Sequence, residues 1–310
     1  MAINKVVRAA LKAISYREFD IKKNYLQYRN LVNLANKSLK PLYNTWDCAV
    51  DSGRHAIPVR IFSPEGEGDF PVLLFFHGGG WVAGNIDSYS KVCANMAKMT
   101  NHKVVSVDYR LAPENPFPAG LEDCYQVAKL FITNKEINNG KVTLIGDSAG
   151  GNLSACLSLL AKERNEFKID SQILIYPATF NDHSETSPFQ SVHDYGTDYL
   201  LTSKRINDYM DLYISKKEDL ESPYFAPLLA KDLSEQPATL IITAEYCPLR
   251  DEGEEYGKML REAGNYVSIY RVKDALHGYF ALPLRFPQVR LSYEIINSFL
   301  NRQRGETIEK

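Results

Sequence analysis

The chain has no excess of either charge: 36 Lys and Arg stand against 38 Asp and Glu over 310 residues, for a net charge of −2. That balance gives no electrostatic case for nucleic acid or for an anionic membrane surface, and the basic residues form no dense cluster. It also has no cysteine pattern. Cys48, Cys93, Cys124, Cys156 and Cys247 are odd in number, spread out and without C-x-x-C spacing, which argues against a disulfide framework and a zinc site and predicts reduced thiols. The stretch carrying Lys5, Arg8 and Lys12 has neither the long apolar core nor the small-residue cleavage site of a secretory signal, so a cytoplasmic location is expected. Internal repeats and low-complexity tracts are absent. Apolar residues make up 45% of the chain, enough to bury a large core, and the length suits one domain over 1–310.

Eight β-like runs are legible. Trp46–Val50 and Ala56–Phe62 are separated by the turn-forming Asp51-Ser52-Gly53 and read as an opening hairpin. Val72–Phe76, Val104–Asp108, Val142–Ile145, Ile173–Tyr176, Thr239–Thr243 and Val267–Arg271 then alternate with helical segments. This alternation predicts an α/β fold, a mostly parallel eight-stranded sheet flanked by helices, with function at the carboxyl ends of its strands. Residues 1–45 and 181–224 lie outside the alternation.

One strand end carries chemistry. Gly146-Asp147-Ser148-Ala149-Gly150 follows the run Lys141–Ile145 and precedes a helix-compatible segment, so the G-x-S-x-G pattern stands in the strand–turn–helix context that exposes a serine Oγ to a cleft. A serine between glycines can be only a turn. Upstream, however, His77-Gly78-Gly79-Gly80-Trp81 follows Val72–Phe76, and glycines at the mouth of a buried strand let backbone N–H groups face a ligand. A flexible linker would not be bracketed by a hydrophobic strand and a tryptophan. The amides of Gly79, Gly80 and Ala149 are therefore expected to hold an oxyanion while Ser148 attacks an acyl carbon. The general base should lie downstream. His183 and His193 sit in a polar, turn-rich insertion, whereas His277 follows a late strand and precedes a glycine, which favours it.

His-Gly-Gly-Gly-Trp at 77–81, Asp-Tyr-Arg-Leu-Ala-Pro-Glu at 108–114, Gly-Asp-Ser-Ala-Gly-Gly at 146–151, Pro-Leu-Arg-Asp-Glu-Gly at 248–253 and Leu-His-Gly-Tyr at 276–279 carry a resemblance. Over nearly its whole length the chain resembles the bacterial hormone-sensitive-lipase-like esterases. The resemblance implies an α/β-hydrolase fold, a helical cap formed by 1–45 and 181–224, a Ser–Asp–His triad, no cofactor or metal, and small short-acyl ester substrates. It also implies a homodimer through the last strand.

One position departs from that pattern. Where the resembling family has the triad aspartate, this chain has Cys247, whose thiol, with an ordinary pKa of about 8.5, is mostly neutral and a weak acceptor. Asp182, Glu245, Asp251 and Asp274 are the carboxylates that could stand in for it. Attenuated turnover is expected. The competing expectation is a catalytically impaired ligand-binding protein, as the plant gibberellin receptors resemble this family while lacking a triad histidine.

Overall fold

The computed structural model describes residues 20–36, 43–134 and 141–304. The basic stretch with Lys5, Arg8 and Lys12, and residues 1–19 and 37–42 of the expected cap, lie outside the described residues.

The sheet consists of β1 (Thr45–Asp51), β2 (Ala56–Phe62), β3 (Val72–Phe76), β4 (Lys103–Val107), β5 (Val142–Asp147), β6 (Ser171–Ile175), β7 (Ala238–Tyr246) and β8 (Val267–Leu276). Their order is β1-β2-β4-β3-β5-β6-β7-β8. The pairs β1–β2 and β2–β4 are antiparallel, and every later pair is parallel. The sequence explains this division. β3, β5 and β6 are buried at every position, as strands covered by helices on both faces must be, whereas β1 is largely exposed at its edge.

Flanking helices are α1 (Ile21–Asn36), α2 (Ile86–Thr100), α3 (Ala119–Thr133), α4 (Ala149–Arg164), α5 (Gln190–Tyr195), α6 (Ser203–Tyr213), α7 (Arg250–Glu262) and α8 (Pro287–Arg304). α4 is buried from Ala149 to Ala161, so its small residues and leucines form part of the core rather than one stripe facing it. α2 starts on a reciprocal cap between Asn85 and Ser88 and stops at Asn101 in the left-handed region.

Two expectations from sequence are corrected at their edges. Residue 45, the last of the expected first cap segment, begins β1 and belongs to the sheet. The last two strands also run further than the apolar runs suggested, β7 to Tyr246 and β8 to Leu276, with an irregular register between Ala244 and Tyr246. Polar residues such as Lys273 and Asp274 hid the extension, because β8 is an edge strand with one solvated side. The consequence is that Cys247 and His277 each follow directly on a strand end.

Candidate active site

Ser148 occupies the turn between β5 and α4 with φ 55° and ψ −117°, a strained conformation for a residue with a side chain. The flanking glycines permit the turn. A Cβ at Gly146 would meet the Gly150 carbonyl oxygen at 2.2 Å, and one at Gly150 would meet that of Phe76 at 1.9 Å. The turn is fastened by Ser148 N–H donating to Ile175 O at 2.8 Å.

The turn after β8 brings His277 to Ser148, with Nε2 2.9 Å from Oγ. On the other side of the ring, Nδ1 lies 3.1 Å from Cys247 Sγ, at the end of β7. Burial lowers the His277 pKa to about 3, although the cavity leaves the ring partly accessible. Burial pushes the Cys247 thiol well up, so it is neutral.

None of the four carboxylates considered from sequence contacts the imidazole. Asp182 accepts from Ser184 N–H at 2.9 Å and from the hydroxyls of Ser184 and Thr186 at 2.7 and 3.0 Å. Glu245 Oε2 accepts from the Asp274 N–H at 2.7 Å. Asp251 pairs with Arg250 Nε at 2.7 Å and accepts from Ser191 N–H at 2.8 Å. The backbone of Asp274 is held by Glu245 and Gln288.

The glycine loop after β3 folds over the serine turn. Gly79 and Gly80 take φ of 123° and 62°, which a side chain rarely adopts, and Val82 and Ala83 N–H close the loop onto Gly79 O at 3.2 and 3.0 Å. The N–H groups of Gly79, Gly80 and Ala149 make no hydrogen bond to another described residue. All three residues line one cavity with Ser148 and His277, of about 220 Å³. Tyr28 from α1 and Tyr209 from α6 roof it, their hydroxyls hydrogen-bonded to each other.

Sequence reading missed three features. Asp147, inside the pentapeptide, is buried and accepts from Gly78 N–H at 2.8 Å and from the Tyr89 and Tyr176 hydroxyls at 3.2 and 3.5 Å. Burial raises its pKa to about 6 even so. His183 is fully buried, its Nε2 2.5 Å from Glu252 Oε2, while Glu252 Oε1 accepts from Thr179 and Phe180 N–H at 2.6 and 3.2 Å. The third is Arg205, which lines the cavity from α6. Among the described residues, no group of three or more His, Cys, Asp or Glu could hold a metal, and no helix is long and apolar enough to cross a membrane.

A crossed parallel sheet with an antiparallel start, bearing a serine turn at its central strand, is the architecture of an α/β-hydrolase. The alpha/beta hydrolase fold family matches residues 73–281. An arylesterase of Saccharolobus solfataricus is 36% identical over 256 residues, covering 80% of this chain and 81% of the relative. An ethyl acetate hydrolase of Pseudomonas putida is 32% identical, covering 74% and 73%. Among solved structures, a hyperthermophilic esterase from Pyrobaculum calidifontis superposes with a TM-score of 0.88 at 32% identity, covering 98% of this chain and 99% of that one. The chain belongs to the hormone-sensitive-lipase-like carboxylesterases of the α/β-hydrolase family, and it is a carboxylic ester hydrolase.

Proposed function

We propose that the protein hydrolyses short-acyl esters through a covalent acyl-enzyme on Ser148, at a rate held down by the cysteine at position 247. Oγ of Ser148 attacks the ester carbonyl while His277 Nε2 takes its proton. The tetrahedral oxyanion is received by the amides of Gly79, Gly80 and Ala149, and its collapse expels the alcohol, which receives the proton from the imidazolium. Water then repeats the sequence and frees the acid. The observation that carries this reading is the 2.9 Å contact between Ser148 Oγ and His277 Nε2 beside three uncommitted amides. The small cavity and the name of the ethyl acetate hydrolase relative support a short acyl group. Tyr28 and Tyr209 over the serine support the reading of a cap that includes α1 and 181–224 on a single domain.

The Cys247–His277 contact favours a second reading, an impaired ligand-binding protein on the same scaffold. Hydrolysis of p-nitrophenyl acetate and butyrate, with Ser148→Ala as control, separates the two. The catalytic reading expects turnover above that control and a fluorophosphonate adduct on Ser148 that depends on His277. Absence of both, beside a reactive control esterase, leaves the binding reading.

We further infer a cytoplasmic homodimer joined through β8, which lies at the sheet edge and exposes Tyr270, with exposed Tyr266 just before it. Light scattering should give twice 35.1 kDa, and a particle of 35.1 kDa across micromolar concentrations overturns the dimer.

A further inference from the structure

The cavity over Ser148 contains an arginine without a counter-charge. Arg205 stands in the first turn of α6, and its Nη1 donates to Leu200 O at 2.8 Å. No Asp or Glu oxygen lies within ion-pair distance of its guanidinium among the described residues. This sets Arg205 apart. Of the described arginines that are buried or half-buried, Arg29, Arg60, Arg110 and Arg250 each pair with a carboxylate, to Glu114, Asp47, Asp123 and Asp251 respectively. Arg205, the one that lines the cavity, does not.

The neighbouring charges do not neutralise it. Asp208, one turn along α6, is taken by Lys204 at 2.7 Å, and Asp211 by Lys22. Asp147 also lines the cavity, but its oxygens are turned toward Gly78 N–H and the Tyr89 and Tyr176 hydroxyls. Arg205 also stands near the positive end of the α6 dipole, where a cation is disfavoured and an anion favoured. Most of the remaining wall is apolar, with Leu201, Ile206 and Met210 beside it on the same side. In such surroundings a planar guanidinium with free N–H donors is matched by a carboxylate.

We propose that Arg205 is a specificity determinant that docks a carboxylate borne by the ester substrate, so that the preferred substrates are anionic esters of short acids. This rests on the esterase reading above. The carboxylate can sit on the acyl side or on the alcohol side of the scissile bond, and each has its own matched pair of probes. Mono-4-nitrophenyl succinate against 4-nitrophenyl butyrate tests the acyl side. 4-Acetoxybenzoate against phenyl acetate tests the alcohol side.

In the wild-type protein the charged member of one pair should match or exceed its neutral partner in kcat/KM. In Arg205→Gln, which keeps a donor for Leu200 O, that charged-to-neutral ratio should fall about ten- to a hundredfold, chiefly through KM. Arg205→Lys should restore part of the loss, and raised salt should lower the ratio in the wild type more than in Arg205→Gln. A ratio that is the same in wild type and Arg205→Gln for both pairs overturns the proposal. Calorimetry with Ser148→Ala and mono-4-nitrophenyl succinate or 4-acetoxybenzoate measures docking without turnover. Binding lost in the Ser148→Ala, Arg205→Gln double variant upholds Arg205 even if hydrolysis is undetectable. Hydrolysis of the neutral esters with neither probe binding through Arg205 leaves the esterase reading intact and removes this one.

Discussion

Cys247 Sγ lies 3.1 Å from Nδ1 of His277, on the far side of the ring from Ser148. A carboxylate there would accept from Nδ1–H and leave the Nε2 lone pair facing the serine. A neutral thiol can instead donate its own proton to Nδ1, which puts the imidazole proton on Nε2 and removes the base. Neither thiol arrangement balances the imidazolium that forms as Ser148 attacks.

Cys247→Asp should therefore raise kcat, by between one and about four orders of magnitude depending on how well the loop admits the carboxylate. It should also move the acid limb of the kcat/KM profile upward from the region of pH 3, because a facing carboxylate favours protonated His277. An unmoved limb would show that the new carboxylate does not face the ring. Asp182→Asn, by contrast, should leave turnover as it was, since Asp182 is held by Ser184 and Thr186.

Gly80→Ala should act on the oxyanion side. Its Cβ would stand 2.4 Å from Cγ of Tyr209 at a φ of 62°, so either the glycine loop or the roof must shift. A loss of about a hundredfold in kcat is expected, with a smaller change in KM. Equal effects on the two constants would assign Gly80 to general binding.

Asp147 makes stability depend on pH. Its folded pKa, about 6, lies above the ordinary aspartate value of 3.8. Its contribution to stability is fully present below about pH 4 and is lost as pH rises through 6. Between pH 4 and 7 the wild type should lose about 2 to 3 kcal/mol relative to Asp147→Asn, measured by urea unfolding at each pH. Parallel curves for the two proteins would contradict the burial of an ionisable carboxyl there.

Glu252→Ala should cost about 3 to 5 kcal/mol, because it strands the His183 ring and two backbone N–H groups in the interior. Chemical denaturation measures it. A cost below about 1 kcal/mol would mean that water reaches the vacated site.

The site was legible where chemistry is local and obscure where it is not. Ser148 and the glycine loop announce themselves because each needs small residues directly after a buried strand, and the order of the motifs singled out His277. The eight strands emerged from their apolar runs, but two ends did not: β8 is an edge strand that alternates with polar residues such as Lys273, and β7 runs on through Glu245 with an irregular register against it. His183 looked like part of a solvated insertion, yet it is buried, since its partner Glu252 stands 69 residues away on another element. Nothing in the sequence around Arg205 marks it. Its distinction is the lack of a partner, which only three-dimensional proximity defines.

The same Glu252 hydrogen bonds have a mechanical consequence. They join the loop after β6 to α7, so the cavity wall carrying Phe180 and His183 cannot retreat without exposing a buried carboxylate. The roof is held differently, by Tyr28 and Tyr209 sharing a hydroxyl–hydroxyl bond that water can replace. Opening the cavity on the side of α1 and α6 therefore requires two phenols and the exposed Lys22–Asp211 ion pair to part, contacts that water can replace.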